Sequence, residues 1–159
     1  MNDRNDLNLL RRVAEDLQRE GRYWKLFGRI EHLMGWLYDE GKCVYCGTEL
    51  VETGHTISGL ASTDHLLPKH NRPELDEDPL NAVPACSTCN HVKGQWDPNK
   101  SEGEPLFRAG SLTPEMRTVF IARAKNHIQE KRRARAVAFE QDLTAWRKAL
   151  RSYRGDLSS

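Results

Sequence analysis

The sequence predicts an α+β protein that is mainly helical. Apolar residues recur at three- and four-residue steps near both ends of the 159-residue chain. Between those ends lies a stretch rich in Gly, Pro, Asn and Cys in which the helical period is lost. The chain therefore divides into an N-terminal helical segment (1–42), a central unit (43–100), and a linker with a long basic C-terminal helix or helices (101–159).

In the first segment Leu7, Leu10, Val13, Ala14 and Leu17 form one apolar stripe, and Tyr23, Trp24, Phe27, Ile30, Leu33, Met34, Leu37 and Tyr38 form another. Gly21 separates them, so two helices, or one broken near Gly21, are expected. Gly41 suits the C-terminal end, where glycine accepts the left-handed conformation without a Cβ clash. In the middle, short strands are expected near Leu50–Ile57 and Leu60–Leu66. An exposed acidic loop is expected over Asn71–Asn81, and a short helix from Ser87 or Thr88, ended by Gly94. Thr113 and Pro114 then make a helix start. Met116, Val119, Phe120, Ala124 and Ile128 give one apolar face, and Phe139, Leu143, Trp146, Leu150 and Tyr153 give a four-three repeat suited to packing on the N-terminal helices or on another subunit.

The formal net charge is only +1, but from Thr113 to Arg154 eleven Lys or Arg stand against four acids. Compensating acids cluster in the middle, in "PELDEDP". No apolar run approaches the ~20 residues that cross a bilayer. The start lacks a basic and apolar leader pattern, so a cytoplasmic location is expected. Thiols stay reduced there, which favours metal over disulfide for closely spaced cysteines.

Those cysteines form two C-x-x-C pairs, Cys43/Cys46 and Cys86/Cys89. Two intervening residues let both thiolates of a pair face one ion, and two pairs complete a four-thiolate site of the structural zinc type. Such a site has no open position for water, so its Zn²⁺ holds the fold and takes no part in catalysis. Redox use competes, but it belongs with a βαβ pattern that the sequence does not show.

The order C-x-x-C, "DHLLPK", "NAVPACSTCNHVK" resembles the zinc-containing, four-cysteine branch of the HNH endonuclease family over roughly Cys43 to Gly94. The resemblance implies a central ββα-metal nuclease unit, zinc-bound and flanked by N- and C-terminal helices. It implies His65 as the general base, Asp64 and Asn90 as ligands of a catalytic Mg²⁺ or Mn²⁺, and Asn81 as the residue that orients the His65 loop. Many members carry His where this chain has Asn90. Phosphodiester hydrolysis needs a deprotonated water and positive charge near the leaving oxygen. An imidazole with a pKa near ~6.5 can take that proton. Adjacent residues of a strand point to opposite faces, so Asp64 and His65 need a bend to face one phosphate.

DNA is the expected partner, and the family resemblance implies products carrying 5′-phosphate ends. Lys69, Lys93, Lys131, Arg132, Arg133 and Arg135 are candidate phosphate contacts. Arg72, His55, His70 and His91 are weaker candidates for the cleft. Restriction or antiphage defence is the expected setting, and the flanking helices suit a partner protein or a homodimer. The alternative is a zinc-stabilised binding or scaffold subunit without turnover.

Overall fold

The computed structural model describes residues 6–21, 28–51, 59–100 and 105–156, with side chains to 152 in the last helix. Helix α1 (Leu7–Arg19) starts where the Asp6 carboxylate accepts hydrogen bonds from the Asn8 and Leu9 amides at 3.0 and 3.1 Å. That satisfies amide groups that have no partner inside the helix. Helix α2 (Ile30–Tyr38) packs against α1, and Ala14 at their contact is fully buried. The expected break at Gly21 is present, with φ +69°. The apolar residues Tyr23, Trp24 and Phe27 lie outside the described residues.

Helix α2 ends with the Gly41 amide on the Trp36 carbonyl and the Glu40 amide on the Leu37 carbonyl, the paired bonds of a Schellman end. The left-handed turn takes two residues, Glu40 at φ 55° and Gly41 at φ 67°, where glycine alone was expected.

Strand β1 (Ala61–His65) pairs antiparallel with β2 (Ala82–Cys86), with Asp64 opposite Val83 and His65 opposite Ala82. Helix α3 (Ser87–Lys93) follows β2 without a break and ends at Gly94, as the sequence implies. The protein is thus mainly helical α+β, with a two-stranded sheet in the central unit. Of the strand expected over Leu50–Ile57, residues 52–57 lie outside the described residues. Leu50 and Val51 are in a turn, and the nearest pairing is a single bridge between Lys42 and Glu49.

Helix α2 lies directly on β2, and the contact requires glycine. A Cβ at Gly35 would fall 2.2 Å from the Ala82 carbonyl oxygen and 3.2 Å from that of Pro79. Beside it, the Trp36 indole N–H donates to Thr63 Oγ1 at 2.9 Å, which ties the helix to β1 as well.

The acidic segment is not a free loop. Leu75, in a 3-10 turn (Pro73–Leu75), is buried. Asp78 accepts from the Leu80 and Leu112 amides, both at 2.8 Å. Asp76 pairs with Arg29 at 2.7 Å. Glu74 and Glu77 are exposed as local composition implies, whereas the Leu112 amide and the Arg29 guanidinium, from distant segments, hold Asp78 and Asp76 in place. The connector is anchored likewise by buried Asn99, which bonds both the amide and the carbonyl of Phe107.

Helix α4 (Pro114–Asp156) is one continuous helix, opened by the Met116 amide donating to the Thr113 hydroxyl oxygen. Arg117, Phe120, Ala124 and Ile128 are buried on one face. Arg117, one of the eleven basic residues of the C-terminal segment, pairs with Asp39 and lies over the Tyr38 ring at 4.7 Å. Burial pushes the Asp39 carboxyl up to about 6 despite that guanidinium.

Replacing Gly35 by Ala forces backbone apart at the α2–β2 contact. Overpacking of this kind costs about 1–3 kcal/mol, or roughly 2–12 °C in Tm for a chain of this size. A thermal melt followed by circular dichroism checks it; an unchanged Tm would contradict this packing.

Candidate metal and active site

The four cysteine sulfurs converge, all within 4.8 Å of one another. Cys43 to Gly47 forms one knuckle, closed by the Gly47 amide on the Cys43 carbonyl and the Cys43 amide on that of Thr48. The other is the β2–α3 junction, where the Cys89 amide donates to Cys86 Sγ at 3.4 Å. The Val44 amide on the Pro84 carbonyl holds the two knuckles together. Cys46 Sγ and Cys86 Sγ stand 3.8 Å apart, which is close to the tetrahedral edge of about 3.8 Å that Zn–S bonds of ~2.3 Å require. The donor set therefore fits zinc.

The Cys43 thiol is pushed down to about 4, chiefly by a hydrogen bond from Cys89, and the same bond pushes Cys89 up. From α4, Arg132 Nη2 stands 3.4 Å from Cys89 Sγ. A guanidinium beside a cluster of thiolates offsets part of their negative charge.

Past Cys89, one face of α3 meets one face of β1. Asn90 and Lys93 are one turn apart on the helix, and Ser62 and Asp64 alternate on the strand. Asn90 Nδ2 donates to Ser62 Oγ at 2.8 Å, and Lys93 Nζ lies 3.1 Å from Asp64 Oδ2. Asp64 is 7% exposed, and it also accepts from the Tyr45 hydroxyl at 2.6 Å and from the His65 amide at 2.8 Å. Tyr45 stays a neutral donor because burial, then the Asp64 charge, pushes its pKa up.

Lys93, expected to meet a nucleic-acid phosphate, is buried instead. Its ammonium bonds the His65 carbonyl at 2.8 Å as well as Asp64. Neither charge of a buried pair is easily removed, since an uncompensated partner costs about 3–5 kcal/mol.

His65 closes β1, and the chain then turns. Buried Asn81 clamps that turn: its Oδ1 accepts from the Leu67 amide at 2.8 Å, and its Nδ2 donates to the carbonyls of Leu67 and Leu75 at 3.1 and 3.2 Å. Asp64, His65 and Asn90 consequently line one cleft of about 370 Å³, together with Lys69 and His32. His65 Nε2 is 3.3 Å from Asp76 Oδ1 but is not aligned for a hydrogen bond. The His32 ring meets the His65 ring edge-on, with centroids 5.4 Å apart. Burial, then the neighbouring His32, lowers the His65 pKa, against an opposing pull from Asp76 and Asp64.

Of the weaker candidates, His70 and His91 are exposed, Arg72 lies over the Phe107 ring, and His55 is outside the described residues. Lys131, Arg133 and Arg135 are exposed on α4. Sequence reasoning missed His32, Tyr45 and Asp76. Each comes from a segment whose local pattern is accounted for by a helix face, a cysteine knuckle or a loop, so no signal in the sequence singled it out.

Residues 43–95 match the family model described as HNH endonuclease, so this stretch is an HNH endonuclease domain. It spans the four-cysteine cluster, β1, β2 and α3. No curated protein and no solved structure was found to match the chain.

Removing zinc should unfold the domain. Structural zinc contributes about 10–16 kcal/mol in small zinc domains, which matches or exceeds the ~5–15 kcal/mol net stability of ordinary domains. A zinc chelator is expected to abolish the cooperative circular dichroism melt of this region, and zinc to restore it. A melt unaffected by chelation would contradict the assignment.

Proposed function

We propose that the protein is a metal-dependent HNH endonuclease that hydrolyses DNA phosphodiester bonds. The observation that carries it is the convergence of Asp64, His65 and Asn90 on one cleft, behind a four-cysteine frame. The cleft offers a carboxylate and an amide oxygen, donors that suit Mg²⁺ or Mn²⁺. Such an ion would supply positive charge to the phosphate and the leaving oxygen. His65 takes the proton from water, and its lowered pKa keeps it neutral and competent near pH 7. Asn81 holds the turn that aims His65. Lys93 bridges Asp64 to the His65 carbonyl and so positions metal ligand and base relative to one another.

Lys69 at the cleft, with Lys131, Arg133 and Arg135 on α4, would track the DNA backbone. Arg132 belongs more to the cysteine cluster. A setting in restriction or antiphage defence rests on the family resemblance alone and forms part of this proposal.

One observation favours a non-catalytic reading, in which the domain only binds nucleic acid. The Asp64 carboxylate already has a cation, the Lys93 ammonium at 3.1 Å. The two readings differ in a plasmid assay. Purified protein with Mg²⁺ or Mn²⁺ should nick supercoiled DNA, and His65→Ala should lower the rate by about 10²–10⁴-fold while leaving the melt intact. Equal cutting by the variant would refute the mechanism, and salt-sensitive binding without cutting by the unaltered protein would support the scaffold.

The pH dependence follows from the direction of the His65 shift. The active form is neutral imidazole, so kcat/KM should fall as pH drops through an inflection below the ordinary histidine value of 6.5. The Asp76 carboxylate favours the charged ring, so Asp76→Asn should move the inflection to still lower pH. Cleavage rates measured from pH 4.5 to 8 check both; an inflection that rises in Asp76→Asn would refute the pairing.

A further inference from the structure

Helix α4 carries one continuous stripe that changes surroundings halfway along. Arg117, Phe120, Ala124 and Ile128 are buried against the body, and Arg132 reaches Cys89. The helix then continues to Asp156, and no described side chain beyond Ile128 is buried. Phe139, Leu143, Trp146 and Leu150 prolong the same face in a four-three repeat. Phe139 is 61% and Trp146 63% exposed, unusual for large apolar side chains on a regular seam.

We propose that this seam is a self-association surface, on which the exposed half of α4 pairs antiparallel with that of a second copy. A seam with this spacing fits a two-stranded coiled coil. Steric reasons set the direction. The body lies on the seam face up to Arg132, and Thr88 and Val92 continue it along the groove that reaches Phe139. A parallel partner would carry its own body on the facing side at the same height, and the two would overlap. In the antiparallel arrangement the two bodies lie at opposite ends of the paired segment, and each meets only the last turns of the other helix.

The side chains agree with that direction. Leu143 meets Trp146 of the second copy and Phe139 meets its Leu150, so every layer sets an aromatic ring against a leucine. Glu140 and Asp142 come alongside the segment holding Arg147 and Lys148 of the second copy, with Glu140 and Arg147 at facing flanking positions, twice by symmetry. The acidic middle of this helix half thus pairs with basic surface and not with itself.

The mass of the zinc-loaded full chain in solution, by light scattering and sedimentation across concentration, tests the proposal without reference to cleavage. The unaltered protein should reach twice the chain mass. Leu143→Asp should remain monomeric with the melt of the body unchanged. Glu140→Arg should weaken the dimer about five-fold, and Glu140→Arg with Arg147→Glu should restore it. In a parallel coil that double exchange would place like charges together, against Arg135 and Asp142, and weaken the dimer further. A monomer at every concentration, a Leu143→Asp dimer, or a double variant weaker than the single would each overturn the proposal.

Discussion

The site depends on four sulfurs drawn to one point. Cys43 and Cys46 come from a knuckle after α2, and Cys86 and Cys89 bracket the turn from β2 into α3. A two-stranded sheet is marginal in water without further support. Here it is held between α2, seated on Gly35, and a knuckle pinned to β2 at Pro84. The cluster also sets the start of α3, and Asn90 follows Cys89 directly. A displacement of the cluster would therefore carry Asn90 out of register with Asp64.

Within that frame Asp64 is the most heavily used side chain. It accepts from Tyr45 and from the His65 amide, and it pairs with Lys93. A carboxylate so surrounded keeps its orientation while nearly buried. Lys93 contributes in two directions, since its ammonium also bonds the His65 carbonyl. Asn81 fixes the turn that follows His65 through Leu67, and Lys93 fixes the His65 carbonyl. His32 and Asp76 act on its ring and pull its proton affinity in opposite directions.

The same helix serves two environments. Up to Ile128, α4 is part of the core, with Arg117 buried against Asp39 and Tyr38. Beyond Ile128 its apolar repeat continues into solvent. Tertiary packing leaves Phe139 and Trp146 largely exposed there.

Much of the site was legible in the sequence because its chemistry needs fixed spacings. Two C-x-x-C pairs point to one ion, and Asn90 behind Cys89 shares a helix face with position 93 by helical period alone. The helix start at Thr113–Pro114 and the stop at Gly94 follow from local backbone preference. What the sequence by itself determined was therefore the set of short-range features: cysteine knuckles, helix ends, the Asp64–His65 step and the apolar stripes. Only the tertiary structure decided the long-range pairings: Lys93 with Asp64, Arg117 with Asp39, His32 and Asp76 against His65, and Asp78 with the Leu112 amide. A lysine on a helix or an aspartate in a loop looks the same in sequence whether it faces water or a buried partner. Which it does depends on the charge that folding brings from another segment.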